Sequence, residues 1–219
     1  ADKLCSCVAQ TGNGTYTGRF QLGLAGYYAL SLAHAVPGGL CADYYDNAWL
    51  DGPPVSSRVD PGVRFRWGAG RLTEFGSDFV SVRWHGALLP GRSGLHTLRL
   101  IADDHARLWL DHVLLLDRWA ARADEVELVV RLSAGAAVAL VLEYAETRAD
   151  AAAVLSWRIQ PGHDDDGRGP MAEEVVPPAA LLCTYGLRGS PIFGLRVESG
   201  PTAGAASLAL GLGLAAGDV

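Results

Sequence analysis

Apolar and polar residues alternate in short runs along the chain. Val80-Ser81-Val82-Arg83-Trp84, Thr97-Leu98-Arg99-Leu100-Ile101, Arg107-Leu108-Trp109-Leu110 and Val138 to Glu143 follow the period of two expected of half-buried strands. Turn-forming clusters separate them, at Asp51-Gly52-Pro53-Pro54, Asp60-Pro61-Gly62, Pro90-Gly91-Arg92-Ser93-Gly94 and Ser133-Ala134-Gly135. No segment gives a long amphipathic helix capped at both ends. The Ala-rich stretch from Arg118 to Glu127 is the one place where the pattern allows a helical turn. An all-β chain follows, a sandwich or a barrel.

Composition narrows the possibilities. With 49% hydrophobic and 19% charged residues in 219, the chain can bury a core and is not a disordered segment. A net charge of −6 argues against nucleic acid as a partner, because neutralising phosphates needs a basic face. The weakly polar run from Ala203 to Gly217 is shorter than the roughly 20 residues a membrane helix needs. The chain opens at Ala1 without a charged-then-apolar leader, and it is read as a piece of something longer. Of the four cysteines, Cys5 and Cys7 lack the second close pair of a zinc ribbon, while Cys41 and Cys183 bracket most of the chain. Spacing alone leaves buried thiols and a long-range bridge both open. Composition shifts at Val36-Pro37-Gly38-Gly39 and at Pro177-Pro178-Ala179-Ala180, and all six Trp lie between these points.

The block between them resembles the PA14 family. The resemblance runs in order through Gly39-Leu40-Cys41-Ala42-Asp43-Tyr44-Tyr45, Val63-Arg64-Phe65-Arg66-Trp67, Phe79 to Gly86, Ser93 to Leu98, Ala102 to Asp111, Leu142-Glu143-Tyr144 and Val154-Leu155-Ser156-Trp157. It implies a β-sandwich. In the carbohydrate-binding members of that family, the pair matching Asp103-Asp104 has a cis peptide and holds calcium, which in turn holds sugar hydroxyls. Adjacent carboxylates repel, and a hard cation with oxygen ligands offsets that repulsion. Arg148 and Asp150, just before the last strand, are the positional candidates for a neighbouring ligand-binding loop, and Trp119 is a candidate stacking platform. Trp67, Trp84, Trp109 and Trp157 sit at strand positions and are expected in the core. His105 and His112 are too loosely placed for zinc, and the acidic turn at Asp164 to Asp166 fails as a calcium-binding hand. No nucleophile elbow, phosphate loop or paired carboxylates across a cleft suggest an enzyme.

The flanks resemble two pieces of one filamin-type immunoglobulin-like repeat. Gly12 to Phe20 and Leu24 to Leu32 resemble strands before its last hairpin, and Leu187 to Val197 resembles its final strand. The expected organisation is therefore a host piece at 1–36, an inserted PA14 domain at 37–183, the host's final strand at 184–200, and the start of a following repeat or a linker at 201–219. Loop tips tolerate such insertions when the guest's termini lie close together. Cys41 and Cys183 would stand at the two ends of the guest, where a disulfide clamps its termini. Asn13-Gly14-Thr15 is a glycosylation sequon, which together with the cysteines points to an extracellular or cell-surface setting. A ciliary or cytoskeletal setting is the alternative. The expectation is a non-catalytic adhesion or structural module of a large multi-repeat surface protein, binding glycan through calcium. Two alternatives stand beside it: an architectural domain contacting neighbouring protein subunits or adjacent repeats, and an accessory domain of a carbohydrate-active enzyme.

Overall fold

The computed structural model describes residues 8–12, 15–18, 24–30, 33–164, 166–186, 192–197 and 210–213. Four strands come first: β1 (Val8–Gly12), β2 (Thr15–Gly18), β3 (Gly26–Leu30) and β4 (Ala33–Pro37). Next are β5 (Leu40–Tyr45), β6 (Ser56–Asp60), β7 (Arg64–Gly68), β8 (Val80–Leu88) and β9 (Gly94–Asp103). They are followed by β10 (His105–Leu110), β11 (Val113–Arg118), β12 (Asp124–Leu132), β13 (Val138–Glu146) and β14 (Ala151–Asp164). The last are β15 (Met171–Val175), β16 (Leu181–Gly186), β17 (Ile192–Val197) and β18 (Leu210–Gly213). Among the described residues the one helical element is a 3₁₀ turn, Pro178–Ala180. The stretch from Arg118 to Glu127 is not helical: β11 ends at Arg118, a loop covers 119–123, and β12 begins at Asp124.

The chain divides into a continuous unit, Ala35–Thr184, and a second unit made of Ala1–His34 with Tyr185–Val219. In the second, β1, β2 and β18 form an antiparallel sheet and β17 pairs with β3. Residues 210–213 pair with Thr15–Gly18.

Two antiparallel sheets make up the continuous unit. The smaller runs β12–β9–β14, and the far edge of β14 is shared by β7 and β15. The larger runs β11–β10–β13–β8, and β8 is shared in the same way: β5 pairs with Ser81–His85, and β16 pairs with Ala87 and Leu88. Gly86 stands at the hand-over between them. A Cβ there would lie 2.0 Å from the carbonyl oxygen of Leu182, so only glycine lets β16 come in beside β8.

Alternation fixes which face of each strand is buried. Val82, Trp84, Leu140, Leu142, Leu108 and Tyr44 of the larger sheet meet Leu98, Leu100, Leu155 and Trp157 of the smaller, all essentially removed from solvent. Aromatic rings run through this layer. Phe65 stacks on Trp67 at 4.7 Å and on Trp84 at 5.7 Å, and Trp67 stacks on Tyr144 at 5.7 Å. One acid, Asp60, is buried among them. It accepts hydrogen bonds from the Tyr44 hydroxyl (2.6 Å), the Trp84 indole (2.8 Å) and Arg58 Nε (2.7 Å), so its charge is fully compensated.

Opposite positions on the larger sheet carry charge to its outer face. Asp43, Arg83, Glu143, Arg107 and Asp117 are register neighbours across β5, β8, β13, β10 and β11, alternating in sign. The Arg83–Glu143 pair is made through two hydrogen bonds (3.0 and 2.8 Å), and Arg107 bonds Asp117 (3.2 Å).

Cys41 on β5 and Cys183 on β16 form a disulfide that spans 142 positions of sequence. It joins the two strands that share the edge of β8. A cross-link closing so long a loop stabilises by about 5 kcal/mol in the chain-entropy model, and by 2–5 kcal/mol in practice. Replacing both cysteines with alanine should therefore lower the free energy of urea unfolding by about 3 kcal/mol or more. Reductant should abolish the difference between variant and parent; equal stability of the two under oxidising conditions would contradict it.

Candidate functional site at the Asp103–Asp104 crossover

β9 ends at Asp103 in the smaller sheet and β10 begins at His105 in the larger, so the chain passes from one sheet to the other over Asp104 alone. The Asp103–Asp104 peptide is cis. The Asp104 carboxylate is buried, and its Oδ2 accepts hydrogen bonds from the Thr147 hydroxyl, the Thr147 amide (3.1 Å) and the Arg148 amide (3.3 Å). Its carbonyl oxygen accepts the Ala123 amide at 2.7 Å. Residues 147–150 link β13 to β14 and residues 119–123 link β11 to β12, so three sheet-to-sheet crossings are fastened to one residue. Burial alone would raise the Asp104 pKa. The Thr147 hydroxyl, the two amides and Arg122 outweigh it and hold the carboxyl below the usual range.

Asp103 contributes differently. Its carbonyl accepts the Tyr144 hydroxyl, and its carboxylate points to Arg122. Arg122 spans three acids: Nη2 meets Asp103 Oδ1, Nη1 lies 3.2 Å from Asp104 Oδ1, and Nε lies 3.3 Å from Asp124 Oδ1. The guanidinium is thus a tethered cation over the paired carboxylates, with 57% of its side chain exposed. Burial pushes the Asp103 pKa up against the pull of Arg122, and the neighbouring Asp104 adds to the rise.

Behind the pair lies Glu146, wholly removed from solvent at the end of β13. Its Oε2 is 3.0 Å from the Tyr144 hydroxyl, and its Oε1 has no hydrogen-bond partner. The Tyr144 hydroxyl thus faces two acceptors, the Asp103 carbonyl and Glu146 Oε2. Burial raises the Glu146 pKa to about 7, with Asp104 nearby adding to the rise and Tyr144 opposing it.

Sequence reasoning located the Asp pair and the 147–150 loop, but not how they connect. Arg148 reaches Asp104 through its main-chain amide. Asp150 sits beside Gly68 at the end of β7, where a Cβ on Gly68 would lie 3.8 Å from its carboxylate. Trp119 opens the 119–123 loop, with the Arg107 guanidinium of β10 4.6 Å from its ring centre. Arg122, Glu146 and Thr147 were not singled out. Asn13, Cys5 and Cys7 lie outside the described residues. Trp84 and Trp157 are buried as expected, whereas Trp109 is partly exposed on the outer face.

The donors at the crossover are hard oxygens, a cationic stand-in already bridges them, and an orphaned buried carboxyl oxygen lies behind them. This chemistry fits calcium better than a softer metal. Among the described residues, no three His, Cys, Asp or Glu side chains are grouped so as to hold a metal. Asp103 and Asp104 would therefore hold the ion together with main-chain carbonyls, water and hydroxyls of a ligand.

Two packed antiparallel sheets define a β-sandwich, with an acidic pair at one of its crossovers. The PA14 domain model matches residues 37–167, and the chain belongs to that family. The anti-sigma-I factor RsgI3 of Acetivibrio thermocellus is 35% identical over 164 residues, covering 73% of this chain and 24% of its own length. A solved anti-sigma factor domain-containing protein is 31% identical with a TM-score of 0.60, over 68% of this chain and 48% of its own. Another, from Clostridium clariflavum, is 28% identical with a TM-score of 0.58, over 74% of this chain and 53% of its own. The chain thus spans about a quarter of the curated relative and about half of each solved one.

These relatives overturn the expectation of an adhesion or structural module in a large multi-repeat surface protein. By name they are an anti-sigma-I factor and two anti-sigma factor domain-containing proteins. No helix among the described residues is long and apolar enough to cross a membrane.

The buried Glu146 gives a pH signature. A carboxyl whose pKa is raised on folding contributes its full stability below the unfolded value, about 4.3, and loses it as pH climbs through the folded value. With the folded value at about 7, the parent protein should lose stability progressively from about pH 4 to about pH 7 and level off above it. Glu146→Gln, which removes the ionisable carboxyl, should flatten that slope when melting temperature is followed against pH. A slope unchanged in the variant would show that another group is responsible.

Proposed function

We propose that the Ala35–Thr184 domain is the ligand-sensing module of a regulator of the anti-sigma-factor type. It reads saccharide through calcium held at Asp103 and Asp104. The observation that carries this reading is the convergence of two adjacent carboxylates on an exposed, displaceable cation at the rim of the sandwich. Kinship with anti-sigma factors supports the regulatory half. The Cys41–Cys183 disulfide supports display in an oxidising compartment, outside the cytoplasm.

When bound, calcium would supply positive charge and open coordination positions for vicinal hydroxyls. The chain's own residues do the rest. Thr147 and Arg148 hold the Asp104 carboxylate ionised and in place, and Arg122 neutralises the pair until a divalent ion displaces it. The filamin-type reading of the flanks belongs to this proposal as a host unit interrupted by the PA14 domain, with β17 and β3 as its paired strands.

Thermal unfolding with calcium and with chelator tests the proposal. Calcium at about ten times its dissociation constant should stabilise the parent by about 1.4 kcal/mol. Asp104→Asn should lose that response, and Arg122→Gln should keep it at a lower calcium concentration, because the competing cation is gone. A parent indifferent to millimolar calcium would overturn the metal-dependent part.

A further inference from the structure

The outer face of the larger sheet contains a hollow of about 330 Å³ that the crossover site does not use. Arg83, Glu143, Val141, Trp109 and His112 line it. We propose that this hollow is a second, metal-independent saccharide site that takes a single neutral sugar ring, with Trp109 as its apolar wall and Arg83 and His112 as its hydroxyl partners.

Three observations carry the assignment. The first is Trp109 itself. Its neighbours Leu108 and Leu110 face the core, so the alternation of β10 places the indole on the outer face, partly exposed. Its register neighbours are Val141 on β13 and the exposed Leu114 on β11, so the indole stands among apolar side chains.

The second is the turn that carries His112. Leu110 and Val113 pair across a two-residue turn whose residues, Asp111 and His112, have φ of 52° and 64°. Such turns favour glycine at the second position, because a side chain in the left-handed region costs about 1 kcal/mol. A histidine occupies this position in spite of that cost, and it lines the hollow.

Charge balance is the third. Glu143 is held by Arg83 at 2.8 Å and lies 3.6 Å from Arg107, while Arg107 is also bonded to Asp117, and Asp43 lies 3.4 Å from His85. The charged groups that line the hollow, Arg83 and Glu143, are paired with each other, so neither is left over for an ionic ligand. What remains is a rigid array of N–H and carboxylate groups beside an indole, suited to hydroxyls on an apolar ring. The hollow lies near the lower end of the usual size range for ligand pockets, room for one ring and not for the centre of a protein interface.

The inference stands apart from the calcium reading, and one experiment separates the two. Titration calorimetry of cellohexaose and xylohexaose is run with chelator and with calcium, using the parent, Trp109→Ala, His112→Gly and Asp104→Asn. Binding in chelator is expected, weakened at least about tenfold by Trp109→Ala and by His112→Gly and unchanged by Asp104→Asn. His112→Gly relaxes the turn, so its melting temperature should equal or exceed the parent's, which separates lost contact from lost fold. Absence of binding by either sugar in chelator, or binding indifferent to both hollow variants, overturns the proposal. So does a dimer in sedimentation that Trp109→Ala dissolves, because a second copy then occupies the face. Binding seen only with calcium and lost in Asp104→Asn overturns this site while leaving the crossover reading intact.

Discussion

The sandwich depends on a single buried carboxylate. Asp104 takes hydrogen bonds from Thr147 and Arg148 on one crossover, and its carbonyl takes the Ala123 amide on another, while its own chain makes a third. Each of these segments leaves one sheet and enters the other within a few residues. Short crossings leave main-chain amides with no strand partner, and a buried unpaired amide costs about as much as a lost hydrogen bond. One ionised carboxylate satisfies two amides and a hydroxyl together, which fixes the spacing of the two sheets at this rim. The acid that would be a liability in a core is here the fastening that lets three connections be short.

The same economy recurs deeper in the core, where Asp60 joins Tyr44, Trp84 and Arg58. The phenol and indole bring polar atoms into an apolar layer, and each needs a partner there. A charged acceptor serves both, and Arg58, half exposed, balances it from the edge. Both buried acids are thus anchoring points for neighbouring chain, and each is neutralised from outside by an arginine. The difference lies in what the arginine leaves accessible. Arg58 closes over its acid from the strand beside it, whereas Arg122 reaches the Asp pair from a loop with most of its side chain in water.

Much of this was legible in the sequence and some was not, for identifiable reasons. Strands β8, β9, β10 and β13 are evident because their alternation is clean and turn residues bound them. The position of Trp109 was also written there. Arg107 and Trp109 share parity, opposite to Leu108 and Leu110, yet the size of the indole suggested a core residue where its parity indicated the surface. Arg122 was invisible for another reason. It lies in Ala120-Ala121-Arg122-Ala123, which carries no pattern, and its importance arises only when three crossovers converge. Glu146 reads as the polar end of a strand, and only the packing of Tyr144 and Asp103 around it reveals a carboxyl sealed from water.

The presence of Arg122 changes what occupancy of the crossover means. A bare pair of carboxylates would bind a divalent ion against its repulsion alone, but here a bound ion must displace a guanidinium tethered to the same loop. Tethering gives that competitor a high effective concentration, so the proposed ion binding would be an exchange, weaker than the bare pair would allow. Weak exchange suits a compartment where calcium stands near the 10⁻⁴–10⁻³ M dissociation constants typical of extracellular modules, and would leave the site empty at cytosolic levels. On the proposed reading, ligand hydroxyls that complete the ion's coordination would shift the exchange further from the guanidinium, because they would bind only the ion-loaded state. Ion and sugar would then be linked, each strengthening the other through the displacement of one arginine. That coupling needs no rearrangement of either sheet, which accords with a rim whose three crossings are already tied to one carboxylate.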